Sequence, residues 1–183
     1  MRRLAVIAAL LSATPAWAAP PVWTVDKAAS TVAFASTFDG QPVSGGFRRW
    51  DAQIRFDPKD LANSSARVSI DTGSAVTGDA DRDAALPDAP FFWAAKYPTA
   101  TFVTQSFKAL GGDRYAAVGD LTIKGVTRPL TLPFTLVITG DTAKMNAVAD
   151  LNRLAFGVGT GEWKATDLIP ANVKVTIAVT ATK

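Results

Sequence analysis

Hydrophobic and polar residues alternate along most of the chain after residue 20. The clearest example is the segment 128–139, RPLTLPFTLVIT, in which every second side chain is large and apolar and most of the others are threonine. A period of two is typical of a β-strand with one buried face, because successive side chains of a strand point to opposite sides. The C-terminal part repeats the pattern, with apolar residues at Val173, Val175, Ile177 and Val179.

Six further segments show weaker alternation. They are residues 30–38, 53–57, 67–71, 101–107, 115–124 and 142–151. Turn-forming pairs, such as Asp39-Gly40 and Gly140-Asp141, separate the segments. The pattern therefore predicts an all-β fold of about eight antiparallel strands, either a barrel or a sandwich. A barrel of that size is just wide enough to hold one small or slender ligand.

Two segments interrupt the alternation. Residues 80–96 are rich in alanine, which predicts one or two short helical turns that Pro87 and Pro90 interrupt. Residues 157–171 contain three glycines, followed by Trp163. The chain has no internal repeat and no interdomain linker, so the pattern predicts one domain.

Residues 1–18, MRRLAVIAALLSATPAWA, have the composition of a secretory signal peptide. Two arginines precede an apolar run, and small residues follow at the end. We therefore expect cleavage near Ala18, export to the periplasm, and a mature domain of residues 19–183. The apolar run is shorter than the ~20 residues that a membrane helix needs, so we expect a secreted chain without stable membrane insertion.

The composition excludes several classes of site. The chain contains no cysteine and no histidine, so it lacks the residues of Ser-His-Asp and Cys-His catalysis, of histidine-bound zinc or haem, and of thiol redox chemistry. The 19 Lys and Arg residues include Arg2 and Arg3 of the signal, which leaves 17 basic against 16 acidic side chains in the mature chain. The basic residues are scattered, so binding to nucleic acid is not indicated.

The segment 79–93, DADRDAALPDAPFFW, places aspartates at 79, 81 and 83. Such spacing resembles the start of a calcium loop, but that loop needs Gly at its sixth position and Glu at its twelfth, where this chain has Ala84 and Pro90. We therefore predict no metal site. A carboxylate pair for acid–base chemistry is an alternative. The favoured interpretation is that the aspartates cap the start of a helix, where they accept hydrogen bonds from free N–H groups.

Phe91, Phe92 and Trp93 cannot all face the same way on a strand or a short helix. At least one of the three rings is therefore expected to point away from an ordinary core. Two compatible interpretations remain open. The segment is a helical plug that packs over one end of the barrel, or it is an apolar lid at the mouth for an apolar ligand.

Several short motifs follow one another along essentially the whole mature chain. They are WTVD (23–26), STVAF (30–34), VSGGF (43–47), SAVTG (74–78), KYPTATF (96–102), GDLTIKGVT (119–127) and LNRLAFGV (151–158). In this order and spacing, the motifs resemble those of the YceI-like family of exported bacterial proteins. The combination is far more specific than any one motif.

The resemblance implies a lipocalin-like, eight-stranded antiparallel barrel with short helices near its mouth. Its interior is expected to bind a long isoprenoid, either a polyprenyl chain or the tail of an isoprenoid quinone. The family brings no established catalytic residue, and we expect no cofactor besides this ligand. The candidate ligand contacts are apolar residues of the strands and the three aromatic residues after the aspartates. They are Val32, Phe34, Phe56, Phe91, Phe92, Trp93, Phe102, Leu121, Leu132, Phe134 and Leu136.

Two arginines are candidates for the headgroup of the ligand. In one interpretation, Arg82 and Arg153 meet a phosphate or a quinone oxygen at the mouth. The alternative is that each arginine pairs with a nearby acid, such as Asp83 or Asp150.

Three functions are compatible with the sequence. We favour a periplasmic carrier or store of an isoprenoid lipid. The second candidate is a structural or stress-response protein whose barrel is filled by its own side chains, and the third is an enzyme that acts on an apolar substrate. The sequence leaves open whether two barrels pair as a homodimer.

Overall fold

The computed structural model describes residues 19–183, so the predicted signal peptide lies outside the described residues. The strands are β1 (Val22–Val25), β2 (Thr31–Phe38), β3 (Gln41–Phe47), β4 (Trp50–Arg55), β5 (Ser65–Asp71), β6 (Ala75–Val76), β7 (Thr99–Gly111), β8 (Arg114–Ile123), β9 (Val126–Thr139), β10 (Thr142–Asn152) and β11 (Asn172–Thr182). Helix α1 spans Ala80–Ala85, and short 3-10 helices span Thr72–Ser74, Arg153–Phe156 and Gly161–Lys164.

The strands form a closed antiparallel barrel. Pairing follows the order β1-β4-β5-β7-β8-β9-β10-β11, and β1 pairs with β11 to close the ring. Strand β11 also pairs with β2, β2 with β3, and β3 with β6. Strands β1 and β2 are therefore two halves of one bent strand, as are β3 and β4, and β5 and β6. The predicted eight-stranded antiparallel barrel is confirmed, with its strands in up-and-down order.

Buried hydroxyl groups provide hydrogen bonds where these three strands bend. The Ser30 hydroxyl donates to the carbonyl oxygen of Thr180 (3.3 Å) and accepts from its N–H (3.0 Å). Ser74 Oγ accepts from the N–H of Arg49 (3.0 Å) and donates to the carbonyl oxygen of Asp71 (2.7 Å). Because buried backbone groups need partners, these serines let the strands bend without leaving polar groups unsatisfied.

The alternation along the sequence does not predict β3. Its sequence, QPVSGGF, contains a proline and two adjacent glycines, which weaken a strand signal. Packing requires Gly45, since a β-carbon there would overlap the Phe34 ring and the carbonyl oxygen of Val76. The close approach of β2, β3 and β6 therefore explains why β3 has the glycine-rich sequence of a loop.

Two tight turns define one end of the barrel. Asp39-Gly40 joins β2 to β3 and Lys124-Gly125 joins β8 to β9, and the four residues have φ angles of 48°, 72°, 51° and 76°. Positive φ at both positions is the backbone of a type I′ turn, whose twist suits a hairpin. The irregular segments 77–98 and 153–171 lie at the same end, which we call the mouth. The opposite end, with the β7–β8 and β9–β10 turns, is the base.

The first segment that interrupts the alternation contains the short helix predicted from its sequence. The second segment also contains a short helix, as the family resemblance implies for the mouth. Helix α1 ends at Ala85, before Pro87, and the second segment contains the 3-10 helix Gly161–Lys164. Within residues 19–183, none of the helices has the length and apolar character needed to cross a membrane.

Candidate functional site

The barrel encloses a cavity of about 770 Å³. Inward-facing side chains of the strands form its wall, and residues of the two mouth segments cover one end. Pockets that bind small organic ligands have volumes of about 300–1,000 Å³, so this cavity is large enough for such a ligand. The side chains of the barrel therefore line the interior and do not fill it.

Aromatic rings pack together in the half of the cavity nearest the base. Phe56 makes edge-on contacts with Phe107 (5.0 Å between ring centroids) and Tyr115 (5.5 Å), and Phe134 stacks on Tyr115 (5.6 Å). The Trp23 indole donates a hydrogen bond to the carbonyl oxygen of Phe56 (2.9 Å). Each aromatic pair contributes about 0.5–1.5 kcal/mol beyond its buried area, so this cluster forms a firmly packed floor.

A bulge in β7 changes which of its side chains face the cavity. The register with β8 shifts between Thr104 and Ser106, so Phe102 and Thr104 line the cavity before the bulge and Phe107 lines it afterwards. Gly119 lies opposite, and a β-carbon there would overlap the backbone of β7. A strict period of two from Phe102 would turn Phe107 outward, which is why the sequence did not identify Phe107.

Of the three aspartates predicted to cap the start of α1, Asp79 does so, whereas Asp83 binds Thr77 of the preceding chain. Asp79 Oδ1 accepts from the N–H of Arg82 (3.0 Å) at the N-cap position. The Asp83 carboxylate accepts from both the backbone N–H and the hydroxyl of Thr77. These hydrogen bonds, chiefly that of the hydroxyl, hold the pKa of Asp83 below its ordinary value. Among the described residues, no cluster of three acidic side chains is arranged to hold a metal ion.

The first two aromatic residues after α1 pack on different parts of the mouth. Phe92 contacts Phe47 (5.7 Å between ring centroids), which contacts Phe34 of the cavity wall (5.6 Å). Phe91 contacts Trp163 of the other mouth segment (5.5 Å). Both phenylalanines also line the cavity. The segment is thus a plug packed on the barrel and, at the same time, an apolar lid over the cavity.

Trp93 is the one predicted ligand contact that does not line the cavity. Its backbone has a left-handed φ of 49°, and the side chain is 37% exposed. The ring packs edge-on against Tyr97 (5.8 Å), and the Lys96 ammonium lies 4.4 Å from its centroid. A positive φ is rare for a bulky residue and is not visible in the sequence. Trp93 therefore does not contact the cavity, in contrast to the prediction.

All the other predicted contacts lie on the cavity wall. They are Val32, Phe34, Phe56, Phe91, Phe92, Phe102, Leu121, Leu132, Phe134 and Leu136. Sequence reasoning missed Ser36, Phe38 and Trp163, which also line the cavity. The alternation of β2 would have identified Ser36 and Phe38, since they continue the inward face from Phe34. Trp163 has no such signal, because it lies in an irregular segment.

Arg82 lies at the mouth, as predicted, but its acidic partner is Asp79 and not Asp83. Its terminal nitrogen is 3.3 Å from the Asp79 carboxylate, and Nε is 3.4 Å from the Thr77 hydroxyl. Asp83 does not pair with it because its carboxylate is bound by Thr77. Arg82 therefore serves mainly to hold the turn of chain before α1.

Arg153 is buried, and within the described part of the chain it binds backbone carbonyl groups. Its N–H groups donate to the carbonyl oxygens of Val158 (3.0 Å), Gly159 (3.2 Å), Ala165 (3.5 Å), Ile169 (2.8 Å) and Pro170 (3.0 Å). Burial lowers the pKa of Arg153, although a guanidinium remains charged in proteins. The alternative prediction of a pair with Asp150 is wrong, because Asp150 lies beside Lys174 (3.8 Å). Arg153 therefore shapes the second mouth segment.

Lys124 ties the two mouth segments to each other. Its ammonium donates to the carbonyl oxygens of Ala89 (2.7 Å) and Gly157 (2.7 Å), one in each segment. The Pro90 carbonyl oxygen accepts from the N–H of Gly159 (2.8 Å), which adds a second link. Burial lowers the pKa of Lys124. No sequence pattern indicates this role, because Lys124 belongs to a tight turn.

Charge on the cavity wall is confined to the mouth. The charged residues of the lining are Asp79, Asp81, Arg82 and Arg153. Nearly all the remaining lining residues are apolar. Such a cavity suits a ligand with a long apolar body, because removal of apolar surface from water drives its binding.

Comparison with known sequences gives one family. A family model described as YceI-like domain matches residues 23–181. Protein YceI of Escherichia coli O157:H7 is 43% identical over 97 residues, which cover 53% of this chain and 50% of that protein. The chain therefore spans about half the length of this relative. A UPF0312 protein of Pseudomonas savastanoi pv. phaseolicola is 33% identical over 162 residues, covering 85% of this chain and 84% of the relative.

Solved structures share the barrel. BcnA of Burkholderia cenocepacia superposes with a TM-score of 0.83 at 37% identity, covering 86% of this chain and 99% of BcnA. The YCEI protein of Campylobacter jejuni gives 0.70 at 26% identity, covering 77% and 85%. A Saccharophagus degradans domain, described as a polyisoprenoid binding domain, gives 0.71, covering 87% and 97%. At 18% identity, the last similarity shows the fold alone.

Proposed function

The chain belongs to the YceI-like family, and we propose that its barrel binds a long isoprenoid lipid, either a polyprenyl chain or the tail of an isoprenoid quinone. The observation that carries this proposal is the cavity of about 770 Å³, whose wall is apolar along all eight strands. The Saccharophagus domain of the same fold, described as polyisoprenoid binding, supports the same class of ligand.

The apolar wall supplies the binding free energy in this proposal. Burial of apolar carbon contributes ~0.8 kcal/mol per CH₂, so about twenty buried carbons contribute roughly 16 kcal/mol. Ordering the flexible chain and immobilising the ligand offset much of this gain. The remainder is sufficient for tight binding without a charged contact, and the cavity-lining residues predicted from the sequence are the proposed contacts.

We propose a binding protein and not an enzyme. The chain has no histidine and no cysteine, and two of the carboxylates near the cavity have structural partners, since Asp79 caps α1 and Asp83 binds Thr77. An enzyme would have to use Asp81, the other carboxylate of the lining. If Asp81 were catalytic, Asp81→Asn would abolish turnover while leaving binding intact, so the bound lipid would differ chemically from that of the wild type. We expect the same lipid, in the same amount, from Asp81→Asn and wild type.

We also propose that the lipid is carried or stored in the periplasm. The support is the signal-like sequence of residues 1–18, with its two arginines and its apolar run. Cell fractionation and the intact mass of the protein test this point. We expect a periplasmic protein that begins near Ala19, and a cytoplasmic protein that retains Met1 would contradict the proposal.

The binding proposal is tested on protein produced as the full chain in cells. Solvent extraction of the purified protein, followed by mass spectrometry, is expected to release an isoprenoid. Ala149→Trp places a large side chain in the cavity, because Ala149 lines it, and should greatly reduce the extracted lipid. Val148→Trp is the matched control, since its neighbour Val148 is 47% exposed on the outer face. Wild-type protein without extractable isoprenoid, and without affinity for added prenyl alcohol, would contradict the proposal.

A further inference from the structure

The cavity wall contains one buried hydroxyl without a hydrogen-bond partner. Ser36 Oγ is the only buried side-chain oxygen or nitrogen in residues 19–183 that makes no hydrogen bond. Ser36 lies on the inward face of β2, between the cavity-lining residues Phe34 and Phe38. An apolar side chain would suit such a position better, because burial of a polar group without a partner costs free energy. Packing alone therefore does not explain this serine.

Aromatic groups lie on both sides of Ser36 along the strand. Phe34 contacts Phe47 (5.6 Å between ring centroids), and Phe38 contacts Trp163 (6.3 Å). Successive inward residues of a strand are about 6–7 Å apart, so Ser36 lies midway between the two groups near the mouth. A polar group of a ligand beside Ser36 would have aromatic rings above and below it along the barrel. The Ser36 hydroxyl is enclosed in the structure, so contact with that group requires rotation of the side chain about χ1 to another staggered position.

The charges of the mouth disfavour an anionic headgroup. The N–H donors of Arg153 are engaged by backbone carbonyl oxygens, and Arg82 is shared between Asp79 and Thr77. Asp79 and Asp81 both line the cavity. A phosphate carries about −1.5 to −2 charges at neutral pH. It would lose hydration and meet carboxylates, while both arginines of the cavity lining are already engaged by other groups.

We propose that Ser36 is the specificity-determining contact for the polar end of the ligand, and that the cavity selects an uncharged, oxygen-bearing headgroup over a phosphorylated one. A serine hydroxyl both donates and accepts a hydrogen bond, so it suits an alcohol and a quinone carbonyl alike. The proposal rests on the proposed function. It adds the position of the ligand's polar end along the barrel, the residue that binds this end, and the selection against an anionic headgroup.

Three ligands that share one apolar chain test this selection. They are geranylgeraniol, geranylgeranyl phosphate, and the corresponding hydrocarbon with a methyl end. Displacement of the neutral fluorescent probe N-phenyl-1-naphthylamine from delipidated full-length protein gives their relative affinities. In the wild type, we expect the alcohol to bind roughly fivefold more tightly than the hydrocarbon, the equivalent of one net hydrogen bond. The phosphate should bind more weakly than the alcohol by about tenfold or more.

Variants of Ser36 separate the hydroxyl from the shape of the side chain. Ser36→Thr and Ser36→Val have the same shape and differ only in the hydroxyl. We expect Ser36→Thr to retain the preference for the alcohol, and Ser36→Val and Ser36→Ala to bind the alcohol no more tightly than the hydrocarbon. Thermal unfolding of the lipid-free protein is the folding control. Ser36→Ala should unfold at the wild-type temperature or above it, because it removes an unsatisfied polar group.

The outcomes distinguish this inference from the proposed function. If the phosphate binds more tightly than the alcohol in the wild type, or if Ser36→Val and Ser36→Thr show the same preference, the inference is overturned while isoprenoid binding stands. If none of the three ligands displaces the probe from the wild type, the proposed function fails and this inference fails with it.

Discussion

Backbone carbonyl groups, and not acidic side chains, hold the two most enclosed cations of the mouth. Arg153 and Lys124 both donate to carbonyl oxygens of irregular segments. Such carbonyl groups have no partner within a helix or a sheet, and a buried polar group without a partner is costly. Each cation therefore satisfies several backbone groups at once and fixes the path of a segment that has little regular structure.

Substitution of Arg153 tests this role. Arg153→Leu leaves most of its carbonyl partners without a donor, and we expect the free energy of unfolding to fall by about 3 kcal/mol or more. Arg153→Lys keeps the charge but lacks the planar array of five donors, so a smaller loss is expected. Urea unfolding of the two variants measures both effects. Wild-type stability of Arg153→Leu would show that these hydrogen bonds are dispensable.

The contact between Thr77 and Asp83 should make stability depend on pH. The pKa of Asp83 is lowered in the folded state, chiefly by the hydrogen bond from the Thr77 hydroxyl. The contact therefore stabilises the protein above the unfolded-state pKa, and this contribution is lost as the pH falls through the folded-state pKa. Thr77→Val should raise the pKa of Asp83 and make the stability less sensitive to acid.

A carboxyl NMR titration of Asp83, together with unfolding at several acidic pH values, measures this effect. Thr24→Val is the control, because Thr24 is exposed on β1 and far from Asp83 in the barrel. An unchanged pKa of Asp83 in Thr77→Val would rule out the hydroxyl as the cause of the shift.

At the scale of elements, the mouth is built from two segments that depend on each other. Helix α1 has six residues, too few to be stable alone. The second mouth segment has only short 3-10 turns. Contacts between Phe91 and Trp163, and between Lys124 and both segments, join them across the cavity. The two mouth segments therefore form one lid, and the Lys124-Gly125 turn anchors this lid to the barrel.

Loss of the Lys124 ammonium should loosen this lid without opening the barrel. For Lys124→Met, we expect a loss of about 1–2 kcal/mol in local stability, because charge-assisted hydrogen bonds are removed while the apolar stem is kept. Hydrogen exchange should become faster at the amides of Gly159 and Thr160, which donate to Pro90, and stay slow in β9 and β10. Lys164→Met, at an exposed position, is the control. Unchanged exchange at both amides would contradict the role of Lys124.

At the scale of the whole molecule, closure of the barrel creates both the cavity and its limits. Eight strands leave an interior that side chains can either fill or line, and here small residues such as Ala52, Ala66 and Ala149 on the wall leave room. The aromatic cluster around Phe56 and Phe107 blocks further extension towards the base. The packing of this floor therefore limits how far the apolar chain of a ligand extends into the cavity.

A smaller side chain in the floor should lengthen the cavity. Phe107→Leu removes part of the floor, and we expect a cost of about 1–2 kcal/mol in stability and a shift in preference towards prenyl alcohols with more isoprene units. Val137→Ala, on the outer face where Val137 is 54% exposed, is the control. Relative affinities for a series of prenyl alcohols measure the shift. The same chain-length preference in Phe107→Leu and wild type would show that the floor does not limit the ligand.

The sequence by itself determined most of the strands, much of the wall of the cavity and the Asp79 cap of α1. A period of two assigns Val32, Leu132 and similar residues to one face wherever a strand is regular, and an N-cap such as Asp79 acts within one turn of chain. The motifs of the family add the closed barrel to this local pattern. These features were predictable because they depend on neighbouring residues or on a repeating geometry.

Only the tertiary structure decided the rest. The bends that join β1 to β2 and β5 to β6 and the bulge that turns Phe107 inward arise from contacts between different strands. The outward turn of Trp93 and the carbonyl partners of Arg153 lie in irregular segments, where no repeating pattern assigns a side chain to a face. Ser36 illustrates both levels, since the alternation of β2 assigns it an inward position, whereas the absence of a partner for its hydroxyl within residues 19–183 follows from the packing around it. The physical reason is that hydrogen-bond satisfaction and steric fit belong to the assembled barrel, not to any one segment.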